Sequence, residues 1–251
     1  MGKFFTVTKK IEVAASAQHA AVIGAGDVVA DWQAIQIPRG SACLRSITML
    51  VRPKGDATPT DNNIAADIVF SKTNTVSLGA ANEVAAHNPN PDIIGLIEFE
   101  TGNYGSAALQ STAIATTSSQ GDTEAATVPL ILEGITTSGD NVGYDTVYIG
   151  IVAKGTFDFR TIIRLNDSSS NMDVSVAGTT IATDGSSMDI REHFAAGDVL
   201  YAFDDAVIGT VSSVTDATDL ELTSNFTAGT LADDDYVYNF HPITLVLGFE
   251  K

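Results

Sequence analysis

Two alternating apolar stretches, one in mid-chain and one at the end, constrain the fold more than any other feature. Asp145 to Phe159 reads DTVYIGIVAKGTFDF, with the apolar run Val147-Tyr148-Ile149-Gly150-Ile151-Val152 broken at Lys154-Gly155. His241 to Lys251 reads HPITLVLGFEK and sets Ile243, Leu245, Leu247 and Phe249 against Thr244, Val246, Gly248 and Glu250. A period of two puts each set on one face of a strand. Both stretches read as central strands of one sheet. Residues 161–240 separate them and differ in composition. The economical arrangement is all-β. An antiparallel β-sandwich or jelly roll spans residues 1–160 and 241–251, and a small SH3-like β-barrel over residues 161–240 is inserted before the last strand.

The remaining pattern supplies further short strands spaced by turn residues. Phe4 to Val13 alternates, and the Ala-rich run Ala14 to Ala21 allows a helical turn without an apolar stripe to anchor it. Gly24-Ala25-Gly26-Asp27 marks a turn before Val28-Val29 and the strand Trp32 to Ile37, which Pro38 ends. In Cys43 to Val51, strict alternation sets Leu44, Ser46, Thr48 and Leu50 against Cys43, Arg45, Ile47, Met49 and Val51. Ala66 to Phe70, Ile93 to Phe99 and Val128 to Leu132 read as strands. Asn88-Pro89-Asn90-Pro91 reads as a rigid turn, and Gly102 to Gly121 as a long polar loop. In the acidic segment, Val174 to Ile181 suggests a Gly-centred hairpin. Phe194 to Tyr201, Ile208 to Val214, Asp219 to Thr223 and Tyr236 to Tyr238 supply the barrel strands.

Charge narrows the partners. Of the formal net charge of −18, residues 161–240 carry −12, with fourteen acids against Arg164 and Arg191. Such a field repels nucleic acid and anionic membranes. The short apolar pair in MGKFFTVTKKIEV is not a signal-peptide core, and no run approaches the ~18 apolar residues of a membrane-spanning helix.

Site chemistry is sparse. Cys43 is the single cysteine, so there is no disulfide framework, and its apolar strand marks it as a small core residue. His19, His87, His193 and His241 have no metal-binding spacing, and Gly24-Ala25-Gly26 lacks the third glycine of a dinucleotide loop. Adjacent acids occur as Glu98 with Glu100 and Asp204 with Asp205, but sequence adjacency does not set the carboxylate separation a glycosidase needs. Asp233, Asp234 and Asp235 are weak cation candidates, because clustered oxygens in a turn suit a hard cation, although no EF-hand register surrounds them. Trp32 reads as core, with a sugar-stacking platform as the competing role. No catalytic set and no cofactor is expected.

A resemblance rests on several of these stretches together. Ala25-Gly26-Asp27-Val28-Val29, Ile35-Gln36-Ile37-Pro38, Ser41-Ala42-Cys43-Leu44-Arg45-Ser46-Ile47-Thr48, Ala66-Asp67-Ile68-Val69-Phe70, Tyr148 to Phe157 and Ile243 to Phe249 together resemble a loose group of tailed-phage virion proteins. The pattern FAAGDVLY, followed by IGTVSSVTDATDLELT, is similar to small β-domains appended to phage structural proteins. The resemblance implies a non-enzymatic capsid decoration (cement) protein on the outer surface of the virion. Its expected partners are the major capsid protein and two further copies of itself in a trimer, with no nucleic acid and no membrane. The alternatives are a tail or baseplate structural protein and a carbohydrate-binding β-sandwich.

Overall fold

A computed structural model describes residues 2–54, 61–86, 90–104, 112–117, 130–139, 142–170, 172–184 and 189–251. Before the acidic segment come β1 (Phe4–Ile11), helix α1 (Ala15–Ala20), β2 (Val28–Pro38), β3 (Ser41–Val51), β4 (Ala66–Ser71), β5 (Ile93–Phe99), β6 (Ala113–Thr116), β7 (Leu130–Glu133) and β8 (Tyr144–Ala153). Within it lie β9 (Thr180–Ala182), β10 (Val199–Ala202), β11 (Val207–Val214), β12 (Asp219–Leu222) and β13 (Val237–Asn239), and β14 (Ile243–Glu250) follows it.

The sandwich has two antiparallel sheets. One runs β1-β14-β3-β6, with β7 also paired to β3, and the other runs β2-β8-β4-β5. The two diagnostic stretches are each central, but in opposite sheets and not in one. Their apolar faces meet across the core, where Ile47, Leu245 and Leu247 from the first sheet join Ile68, Phe70, Ile149 and Ile151 from the second. Phe157 and Phe159 stack beneath them with ring centroids 5.5 Å apart. Burying one face of each sheet is what makes the period-two pattern legible.

Departures from the expected pattern have local causes. In β3 the partner register passes from Gly248↔Ser46 to Phe249↔Leu44, leaving Arg45 as an extra residue. That bulge brings Leu44 onto the same buried face as Ile47, Met49 and Val51, where strict alternation placed it opposite. Cys43 therefore lies on the outer face and only half-buried, not in the core. Strand β6 falls inside the stretch read as a loop. Its buried residues are Ala113 and Ala115, too small to give a strand signal. Val174 to Ile181 forms no hairpin, since only Thr180–Ala182 is extended and pairs with β12. The Asn88-Pro89 turn and Val128-Pro129 lie outside the described residues.

The acidic segment has its own core, in which Leu165, Ile181, Leu200, Val211, Leu220 and Val237 are buried together. Its strands run β13-β10-β11-β12-β9. Residues 164 and 165 complete the ring through the bridges Arg164↔Tyr236 and Leu165↔Thr183, which join the two ends of that order. Closure removes the free strand edges that an open sheet would expose.

Candidate functional site at the junction of sandwich and barrel

A densely connected carboxylate sits where the barrel meets the sandwich. Asp198, in the turn before β10, is 1% exposed. Its carboxylate accepts from Lys10 Nζ on β1 at 2.7 Å and from Arg52, just past β3, at 2.7 Å. It also accepts from the Ala195 backbone at 2.9 Å and from Asn239 Nδ2 at 3.0 Å. Two cations from the sandwich thus close on one buried anion from the barrel. A buried carboxylate is tolerated only with such compensation.

Around this clasp the contacts are directional. Gln18, buried on α1, donates to the carbonyls of Val13 at 2.8 Å and Asn239 at 3.0 Å. The Val13 N–H donates to the Phe240 carbonyl at 2.9 Å. Ser16 at the start of α1 donates its backbone N–H and its hydroxyl to Asp205, at 3.0 and 2.5 Å. His19 Nδ1 lies 2.7 Å from the Tyr238 hydroxyl, and the imidazole packs among Phe203, Tyr236 and Tyr238. The six-residue helix that lacked an apolar stripe is thus held by polar contacts to the barrel.

Burial sets the protonation states here. His193 is buried, and desolvation, followed by the Arg52 guanidinium, pushes its pKa down to about 4. His241 is lowered by burial and then by Lys10, and burial pushes the Tyr238 hydroxyl up to about 12. His193 Nε2 and His241 Nδ1 have no hydrogen-bond partner. His193 and Arg52 border a cavity of about 20 Å³ together with Gln18, Tyr238 and Asn239. The arrangement fixes one body against another, with Asp198 committed to four donors and His193 to the neutral form.

Of the residues singled out from the sequence, His19, His193, His241 and Asp205 lie at this junction, and the others lie elsewhere and do not converge. Asp233 accepts from the Asp167 N–H at 2.9 Å, Asp234 pairs with Arg164 at 3.1 Å, and Asp235 accepts from the Ala232 N–H at 2.7 Å. These three carboxylates shape the turn that closes the barrel. Among the described residues, no group of three or more His, Cys, Asp or Glu side chains could hold a metal ion. Glu98 and Glu100 share Lys154. Asp204 accepts from the Ala206 N–H, and Asp205 receives α1. Trp32 is half-buried on the outside of its sheet. Its ring lies over Gly150, and its indole N–H donates to the Val76 carbonyl at 2.7 Å. His87 lies outside the described residues.

Lys10, Gln18, Arg52, Asp198 and Asn239 were not legible in the sequence, and His193 was read only as one of four scattered histidines. Lys10 and Asp198 are 188 residues apart, and nothing local links them. The one available signal was the Ala196-Gly197-Asp198 turn, in which Gly197 adopts φ +84°.

A second surface is defined by the sandwich. The outer face of the β1-β14-β3-β6 sheet carries cross-strand rows, Thr8–Val246–Thr48–Thr116 and Lys10–Thr244–Leu50–Ile114. The charges on it are paired, Lys10 with Asp198 and Arg45 with Glu250 at 2.6 Å. At one end a cleft of about 320 Å³ is lined by Leu50, Arg52, Thr112, Ile114, Pro242 and Thr244.

No protein-family model matches the chain, and no curated protein matches it. Among solved structures, the crystal structure of the STIV MCP aligns over 99% of this chain and 96% of its own, at 10% identity and a TM-score of 0.18. A likeness that slight carries no argument about fold or role. No helix among the described residues is long and apolar enough to cross a membrane.

Proposed function

We propose that this protein is a non-enzymatic structural component of a virion, a decoration (cement) protein that binds the major capsid protein lattice on its outer surface as a trimer. The observation that carries the reading is the outer face of the β1-β14-β3-β6 sheet. It is a broad surface of Thr, Ser, Val and paired charges on a chain of net charge −18. An extended face of low net charge can be desolvated against another protein at small electrostatic cost, whereas most of this chain's surface cannot. The sequence resemblance to phage virion proteins supports the same role. So does the clasp at Asp198, which ties the barrel to the sandwich through four donors. The acidic barrel disfavours nucleic acid and anionic membranes as competing partners.

The test uses particles stripped of the protein. Added protein should co-sediment with them and raise the temperature at which they disrupt. A charge placed on the sheet face, Thr48→Lys or Val246→Glu, should abolish both effects without changing the protein's own melting temperature. Protein that neither co-sediments with nor stabilises particles would sink the reading.

A further inference from the structure

We infer that the seam between sandwich and barrel is an acid-sensitive latch, held shut by neutral His193 and opened when that imidazole takes up a proton. His193 is 7% exposed, and its Nε2 atom is closed off from solvent. A proton taken up there would meet no water. Nor does the protein supply an acceptor, since Nε2 has no hydrogen-bond partner.

The surrounding charges are already committed. From the end of β3, Arg52 presents a guanidinium to the cavity that His193 borders, so a protonated His193 would place a second cation beside it. Asp198, before β10, is the nearest buried anion by connection, but it accepts from Lys10 of β1 and from Arg52. On His193's own turn, Asp189 favours the cation but forms a tight pair with Arg191, and Glu192 is held up toward its neutral form by burial. Tyr238 on β13 stays neutral, and His241, ahead of β14, is itself pushed toward the neutral form with Lys10 nearby. Glu192 has one oxygen, Oε2, without a partner, but burial holds that carboxyl up toward its neutral form, and among the described residues no other element packed here offers the new charge an uncommitted partner. The low-cost response is to let the seam open and admit water.

The direction follows from linkage. A histidine whose folded pKa is depressed contributes stability that is fully present above its unfolded value, 6.5, and is lost as pH falls toward its folded value, about 4. The seam's opening constant should therefore rise by about a hundredfold between pH 7 and pH 4. That window lies above the one in which the turn-forming aspartates protonate.

The experiment is hydrogen exchange on the full chain from pH 7 to pH 4, corrected for intrinsic exchange rates, with an NMR titration of the histidine rings. The seam amides of Val13 and Ser16, which donate to the Phe240 carbonyl and to Asp205, should lose protection about a hundredfold, while Ile149 and Leu245 in the sandwich keep theirs. His193→Gln should remove the seam's pH dependence, and His241→Gln should retain it. The proposal is overturned if seam protection is flat across the range. It is equally overturned if His193→Gln loosens as wild type does, or if His241→Gln abolishes the effect. The wild-type titration decides even where His193→Gln fails to fold. A His193 ring that protonates near pH 6.5 with the seam still protected ends the idea.

Discussion

Lys10 and Arg52 hold the same carboxylate, yet the loss of each has a different cost. The Lys10 side chain is 40% exposed and the Arg52 side chain 25%, so Lys10 is the better solvated of the two. Removing Arg52 leaves a 1% exposed carboxylate relying on a cation that water competes for. Arg52→Ala should destabilise by about 3 kcal/mol, the usual range for breaking a buried pair. Lys10→Ala should cost about 1 kcal/mol or less, as for a partly exposed ion pair. Urea-denaturation midpoints compare them directly, and equal losses would show that the two cations share the carboxylate evenly. The other aspartates act on the backbone. Backbone donors hold Asp145 (from Gly40) and Asp216 (from Thr218) below the usual carboxylate range, and the side chains of Ser175 and Arg191 do the same for Asp173 and Asp189. Carboxylates with depressed folded pKa values contribute stability that is present above the unfolded value of 3.8 and lost as pH falls below it. Acid unfolding of the barrel, followed by far-UV circular dichroism, should therefore be steepest below pH 3.8, after the seam has already responded. Much of the barrel's acidity is thus turn chemistry.

At the scale of elements, Gly150 shows how a strand accommodates a large neighbour. It sits in β8 on the outward side, and a Cβ there would meet the Leu78 side chain and come within 3.2 Å of the Trp32 ring. Gly150→Ala should shift both side chains and cost about 1–3 kcal/mol, the range for overpacking. Trp32 is the single tryptophan, so its emission should move to longer wavelength in the same variant. An unshifted spectrum would mean that Leu78 alone gives way. The pattern around β8 and β14 was readable because each strand buries one face fully and continuously. Which sheet each belongs to was not readable, since alternation says which residues are buried and is silent on the partner strand. The β3 face was misread because Arg45 adds one residue and inverts the parity of everything before it. Strand β6 was invisible because alanines at 113 and 115 fill its core positions. The junction was the least readable part. Lys10, Arg52, His193 and Asp198 are ordinary surface residues in sequence, and only the return of β14 alongside β1 and β3 brings them together.

At the scale of the molecule, two hydrophobic cores are joined by a polar seam, and the seam decides whether they unfold together. Among the described residues, the barrel core and the sandwich core form separate buried apolar clusters. Coupling between them rests on Asp198, on α1 through Gln18 and Ser16, and on the Val13–Phe240 hydrogen bond. A seam worth a few kcal/mol is comparable with the stability of a small domain, so the intact chain should melt in a single calorimetric transition. Asp198→Ala removes the group that both sandwich cations address, leaves the Ala195 N–H without its acceptor and leaves Asn239 with the His193 carbonyl alone. The coupling then falls toward what α1 and one backbone hydrogen bond supply. Calorimetry of Asp198→Ala should resolve two transitions. The barrel should melt first, because its core is smaller and carries most of the net negative charge. Raising the salt concentration should narrow the gap between them by screening the barrel's self-repulsion. A single transition in the variant would show that α1 and the Val13–Phe240 hydrogen bond suffice to couple the two cores. Ser16→Ala combined with Gln18→Ala should then split the transition where Asp198→Ala did not.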